Sequence, residues 1–443
     1  MKPDLILTDA TIVSPGAAPI ARGWLALNGE KILDLGPMAT LPAYDGRIES
    51  LAGRVLTPGF VNIHTHAILS LMRGIAIDMG FAPAYTRGVP HGHEIGPEES
   101  VALARLGALE ALLAGSTAMV DSYVHGELTL PAMCDLGMRV WACGRLHDVD
   151  FSRVHLSDWE HKDEIGKLRL GEIEKLTRDF NGAFGGRART IAIPHAPDTC
   201  SADLLRRAGE FARANGLKVS THLSQSKLEN AQIQKRDGCT PTQLLERVGL
   251  LNEDLIAAHC IHMTEDDVKR FGAAGATVAH VPKGNATGGA VAHTPNLRAA
   301  GANIALGTDN LTQDMAEQMR WGLANARVHL GRVAEDWQPE DAFEMATSNG
   351  AKALGVDAWL GRLAPGYAAD IVAWDFRRAH LTPLLDPLGT LVHDANGRDV
   401  QHVWVAGRQV VRDGEALFAD TNAVRVDAQK AAEGLWARAA EDA

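Results

Sequence analysis

Residues 54–66 read Arg-Val-Leu-Thr-Pro-Gly-Phe-Val-Asn-Ile-His-Thr-His. Pro58 and Gly59 make a bend, and Phe60, Val61 and Ile63 supply the apolar run of a short buried strand. His64 and His66 follow at i, i+2, so on a strand both imidazoles share one face and can reach one ion. The spacing alone is weak evidence, because a chain with 18 His yields about one such pair by chance. A second pair, His91-Gly92-His93, lies among Gly and Pro with no strand before it and reads as a loop feature. Position raises the first pair, since barrel enzymes keep their chemistry at the C-terminal ends of strands.

Working outward, an alternation of apolar run, loop and helix begins at Leu56. Eight runs fit short parallel strands: Phe60–Ile63, Thr117–Val120, Val140–Cys143, Thr190–Ile193, Lys218–Thr221, Leu255–Ala258, Thr277–Ala279 and Asn303–Leu306. Helical patterns separate them, among them Glu98–Ala114 and the capped starts Thr240-Pro241-Thr242-Gln243 and Thr264-Glu265-Asp266-Asp267. The pattern predicts an α/β fold, a (β/α)8 TIM-like barrel over residues 57–361; a doubly wound open sheet is the alternative. Short strands also read over 4–56, and again at Asp370–Trp374 and Val403–Val411, the last with a turn at Ala406-Gly407. Residues 1–56 and 362–443 are therefore expected to build one composite β-sandwich from both chain ends. Helices are expected at 312–332 and 339–354, and a terminal one from about 424.

Composition bounds the partners. A net charge of −12 without a Lys/Arg block argues against nucleic acid or an anionic membrane. No apolar run reaches membrane-spanning length, and the first residues lack a signal peptide's apolar core. Five cysteines without a CxxC pair fit reduced thiols and a cytoplasmic location.

The strand ends carry the chemistry. His64 and His66 follow the first strand, His195 the fourth, His222 and Gln225 the fifth, His259 the sixth, His280 the seventh and Asp309 the eighth. Three neutral imidazoles (His64, His66, His222) and the Asp309 carboxylate make an N3O donor set that leaves a position for water. This suits Zn²⁺, with Fe²⁺, Mn²⁺ or Co²⁺ as alternatives. Such an ion lowers the pKa of water to roughly 7. Asp309 can then serve as ligand and general base, and His259 can orient the nucleophile and polarise the carbon under attack. The fourth strand ends in Pro194-His195-Ala196-Pro197, with no Lys there to bridge a second ion. One divalent metal per chain is expected.

Thr57 to His66, Thr221-His222-Leu223, Ala258-His259-Cys260-Ile261-His262, Gly307-Thr308-Asp309, Ala346 to Gly355 and Gly361 to Val372 together resemble the amidohydrolase superfamily. The branch is the one that holds adenosylhomocysteine/methylthioadenosine deaminases and triazine (atrazine-type) hydrolases. The resemblance implies hydrolytic chemistry, a mononuclear centre and commonly a homodimer acting on a small molecule. It also draws attention to Arg73, Tyr85, His195, His280, Lys283 and Asn285 as substrate contacts. Deaminases of the branch carry His-x-x-Glu at the fifth strand, where this chain has Gln225, an amide that donates a hydrogen bond but delivers no proton. Glu229, one helical turn on, is the nearest carboxyl. Lys283 stands in a motif that is usually His-Asn-Pro-x-Ser-Asn, and Asn310 replaces the usual Gly after Asp309. The expected activity is a metal-dependent amidohydrolase in which water attacks an sp² carbon and cleaves a C–N, C–S or C–Cl bond in a urea, amide, carbamate or substituted heterocycle. Deamination of a purine, pterin or triazine is the alternative, and a non-catalytic binding subunit a remote one.

Overall fold

The fold is that of a computed structural model, which describes residues 2–75, 78, 82–310 and 312–441. It is a mixed α/β protein. β1 (Leu5–Ile12), β2 (Ile20–Asn28), β3 (Lys31–Pro37), β4 (Arg47–Ser50) and β5 (Arg54–Pro58) come first. Eight strands then alternate with helices: β6 (Phe60–Thr65), β7 (Ser116–Tyr123), β8 (Arg139–Gly144), β9 (Ala188–Thr190), β10 (Val219–Leu223), β11 (Leu255–His259), β12 (Thr277–His280) and β13 (Asn303–Leu306). The chain ends with β14 (Ile371–Asp375), β15 (Val400–Val405), β16 (Arg408–Arg412), β17 (Glu415–Ala416) and the helix Thr421–Glu441.

The eight middle strands pair in parallel, in sequence order, as β6-β7-β8-β9 and β10-β11-β12-β13. A parallel bridge between Ala192 and Val219 joins the two sheets at one seam, and another between Thr65 and Asp309 joins them at the other. Strands buried on both faces read as unbroken apolar runs rather than alternating ones. β7 and β11 show this, buried at every position. At the second seam Gly307 lies against His64, where an added Cβ would stand 2.8 Å from the His64 Cβ. Only glycine lets the last strand approach the first this closely.

The end segments form one sheet in the order β17-β16-β15-β14-β5-β1-β2-β3, with β4 added beside β1. The contact between β14 and β5 is antiparallel and pairs Ile371 with Pro58. A buried bidentate ion pair ties this sheet to β8: Arg139 Nε and Nη2 donate to Asp370 at 2.9 and 3.0 Å. Asp370 also accepts the Ala406 amide. Ala406 and Gly407 both have positive φ, 51° and 71°, as a two-residue hairpin of this twist requires.

Three details differ from the sequence reading. The fourth strand of the series stops at Thr190, and only isolated bridges at Ala192 and Pro194 continue it. The helix expected over 339–354 is two, Pro339–Ala346 and Ser348–Ala353, because Thr347 (φ −132°, ψ −91°) breaks the helical backbone. Leu5-Ile6-Leu7 and Thr11-Ile12-Val13, which read as two of the short strands over 4–56, fall in and just after one strand, β1. Among the described residues no helix is long and apolar enough to cross a membrane, and all five cysteines are free thiols.

Candidate active site

The strand ends converge. The Nε2 atoms of His66 and His222 are 3.2 Å apart. Asp309 Oδ1 lies 3.6 Å from His66 Nε2 and 3.9 Å from His64 Nε2. Asp309 Oδ2 lies 3.9 Å from His259 Nε2. Ligand atoms of His64, His222 and His259 fall within 4.8 Å of one another, as do those of His64, His66 and Asp309. Four imidazoles and a carboxylate from four separate strand ends therefore face one point.

Backbone conformation aims them. Ser224 (φ 47°), His259 (φ 74°) and Asp309 (φ 59°) all adopt the left-handed region just where their strands stop. Non-glycine residues hold that conformation at a cost and do so mostly at functional sites. The last strand is held on the first by backbone bonds from Thr308 and Asp309 to the His64 carbonyl, both 3.0 Å. Behind them Asn62 donates to Thr308 Oγ1 (2.7 Å), and Thr308 to Gln313 (2.8 Å).

Second contacts orient the rings. His66 Nδ1 donates to the Ser122 carbonyl and His222 Nδ1 to the His195 carbonyl, both at 2.5 Å. His259 Nδ1 donates to Asn285 Oδ1 at 3.0 Å. Each bond leaves the Nε2 lone pair facing the common point, as metal-binding histidines require. Burial, and then the neighbouring imidazoles, hold His64 and His222 well below the ordinary histidine range, and burial lowers His66. These rings are neutral at pH 7. His64 Nε2 is buried with no hydrogen-bond partner among the described residues. An orphaned nitrogen among neutral imidazoles, with a carboxylate beside it, fits a divalent ion.

A small cavity of about 40 Å³ opens onto this point. Of the substrate contacts expected from sequence, His195, Gln225 and Tyr85 line it. His195 is braced through Nδ1 to Thr199 Oγ1 (2.8 Å), and burial and then His222 hold its pKa far down. Gln225 Nε2 is buried and unpartnered. Tyr85 donates to Asp198 Oδ2 at 3.0 Å. Four others lie elsewhere. Asn285 serves His259 instead of the cavity. His280 is fully buried in β12, with its pKa pushed down to about 3 by burial and then by His329. Lys283 pairs with Glu317 at 2.8 Å, and Arg73 pairs with Glu110. Both line a separate surface groove, where a carboxylate satisfies each long cationic side chain. Glu229 is also outside the cavity. Its carboxyl is fully buried and accepts the Ser224 and Gln225 amides at 2.9 and 2.8 Å, so it braces the loop that carries Gln225.

The sequence reading missed Tyr123 and Arg145 in the lining, and singled out Asn310, also there, only as a replacement for Gly. The Arg145 guanidinium lies 4.2 Å over the Tyr123 ring and 4.5 Å over Phe151. Arg145 directly follows β8, so the same strand-end rule would have found it had cations been counted with His and Asp.

Residues 55–410 match the amidohydrolase family. The chain is 33% identical over 411 residues to a 5-methylthioadenosine/S-adenosylhomocysteine deaminase of Pyrococcus abyssi, covering 91% of this chain and 93% of that protein. It is 31% identical over 443 residues to a 5'-deoxyadenosine deaminase of Methanosarcina barkeri, covering 98% and 99%. Among solved structures, an adenosine deaminase of Xanthomonas campestris with bound zinc superposes with a TM-score of 0.87 at 25% identity, covering 98% of this chain and 99% of that one. An atrazine chlorohydrolase of Arthrobacter aurescens complexed with zinc shares the fold, with a TM-score of 0.83 at 21% identity and coverage of 97% and 100%.

Proposed function

The chain belongs to the amidohydrolase family, and on that premise we propose that it removes ammonia from an sp² ring carbon of an adenosine-type purine. The observation that carries the hydrolytic chemistry is the meeting of His64, His66, His222, His259 and Asp309 beside the cavity. The full-length relatives that deaminate 5'-modified adenosines favour this substrate class over the ureas, amides and carbamates expected from sequence.

His64, His66, His222 and Asp309 would hold one divalent ion, which supplies Lewis acidity and brings the pKa of water to about 7. Zinc is the first choice for three imidazoles and a carboxylate. Asp309 takes the proton of the attacking water and later gives it to the leaving amine. His259, fixed by Asn285, presents a lone pair at Nε2 that accepts a hydrogen bond from that water and sets its line of approach. Gln225 donates to a ring nitrogen, and His195 and Tyr85 bound the substrate.

A second reading rests on Gln225. Its amide supplies no proton to a ring nitrogen, which favours displacement of a substituent that leaves without one, as in halo- or alkylthio-heterocycles.

We further read β6–β13 as a closed (β/α)8 barrel over 57–361, with the bridges at both seams in support. Residues 1–56 and 362–443 are then the composite sandwich, supported by the pairing of β14 with β5. A cytoplasmic homodimer completes the proposal.

The test is a panel of 5'-substituted adenosines, aminotriazines, halo- and alkylthio-triazines, ureas and carbamates, scored for ammonia, amine, thiol or halide. Ammonia from the adenosines is the expected result. Release of thiol or halide alone selects the second reading, and turnover surviving in Asp309→Asn removes the mechanism.

A further inference from the structure

The His-x-His pair set aside as a loop feature has company in the structure. His91, Gly92, His93 and Glu94 form a single tight turn, Gly92–Glu94, with His91 as its cap. Ligand atoms of His91, His93 and Glu94 all lie within 4.8 Å of one another. Glu94 Oε2 is 3.7 Å from His91 Nδ1, and Glu94 Oε1 is 3.9 Å from His93 Nε2. These separations are too long for hydrogen bonds. They are close to what two donors show when each sits about 2.0–2.2 Å from a shared ion.

Two further observations point to a ligand. His91 is buried and donates through Nε2 to the Thr86 carbonyl at 2.9 Å. The bond leaves Nδ1 as the lone-pair atom on the Glu94 side, the same outer support that the catalytic rings have. From another part of the chain, His155 stacks on His91 with ring centroids 4.7 Å apart, and its Nδ1 is buried without a partner among the described residues.

We propose that His91, His93 and Glu94, with His155 as the fourth donor, form a second divalent-metal site, separate from the catalytic centre and suited to Zn²⁺ or another borderline ion. The ion clips two stretches of chain that follow different strands, the one at 91–94 and the end of the helix Phe151–Val154. Gly92 lies against Arg145 and Tyr123, where an added Cβ would be 3.1 and 3.3 Å from them. Both side chains line the catalytic cavity, so the clip stiffens one of its walls.

The inference does not rest on the proposed substrate, and binding tests it without turnover. Protein carrying only its tightly held metal is titrated with Zn²⁺ by calorimetry and with Co²⁺ by visible absorption. One further equivalent per chain is expected. His93→Ala should lose it, Glu94→Gln and His155→Ala should each weaken it at least tenfold, and all three should keep the tight equivalent. His222→Ala should lose the tight equivalent and keep this one. Absence of a further equivalent in the wild type overturns the site. So does its persistence at unchanged affinity in both His93→Ala and Glu94→Gln, or its loss with His222→Ala. His93 is exposed and Glu94, which accepts the His91 amide at 2.5 Å, is half-buried, so circular dichroism checks that each variant keeps the fold.

Discussion

The two His-x-His pairs have the same three-residue spacing and different foundations. His64 and His66 end a strand that is buried at every position, and their partners come from three other strand ends. His91 and His93 sit on one short turn, with Glu94 next in sequence and His155 as the contributor from elsewhere. In the first cluster the backbone does the aiming: left-handed residues at the strand ends, Gly307 against His64, and hydrogen bonds behind each ring. In the second, side chains on a local turn do most of it. The spacing of a motif therefore says which atoms can meet, and the frame beneath it says how firmly.

The largest expected effect lies in the first cluster. Asp309→Asn should lower kcat by about 10²–10⁴, the range a positioned acid–base group supplies, with circular dichroism unchanged. Glu94→Gln, its counterpart in the second cluster, should leave kcat within about twofold on the same assay, because no atom of Glu94 lines the cavity. Equal losses in the two variants would erase the distinction drawn between the clusters.

The frame can be attacked without touching a ligand. Arg139→Ala leaves the Asp370 carboxylate buried and without its cation, which should cost about 3–5 kcal/mol in a urea titration. Asn285→Ala releases His259 Nδ1 and should lower kcat/KM by about 10- to 100-fold. If kcat/KM holds, backbone alone aims His259.

The last expected effect is a pH slope, shallow over any one pH unit. Burial, and then the charge of Asp198, raise Glu229 from 4.5 to about 8. The folded chain thus holds this proton more tightly than the unfolded chain. The stabilisation is fully present below pH 4.5 and is lost as pH rises towards 8. Over that window the wild type should lose up to about 1.4 kcal/mol per pH unit through this group. Glu229→Gln should flatten the wild-type trend, and an unaltered slope in the variant assigns it to other groups.

Much of this was legible from residue order. The eight apolar runs were placed to within a few residues, because strands buried on both faces carry unbroken hydrophobic stretches. The meeting of His64, His66, His222, His259 and Asp309 was legible because chemistry collects where such strands end. Three kinds of feature were not. Thr347 breaks a helix although neither it nor its neighbours Ala346 and Ser348 is Gly or Pro, so propensity at the break gave little warning. Arg73 and Lys283 looked like substrate contacts by motif, yet each found a carboxylate in space, Glu110 and Glu317, at separations of 37 and 34 residues. His91 and His93 looked inert because their neighbour His155 is 62 to 64 residues away, and no local pattern announces such a meeting.

The bridge between Thr65 and Asp309 spans 244 residues of sequence. A ribosome that has made the first three-fifths of the polypeptide has produced the early histidines but not the carboxylate that stands against them. The convergence of imidazoles and carboxylate is thus completed late in the life of the nascent chain, once Asp309 has been made.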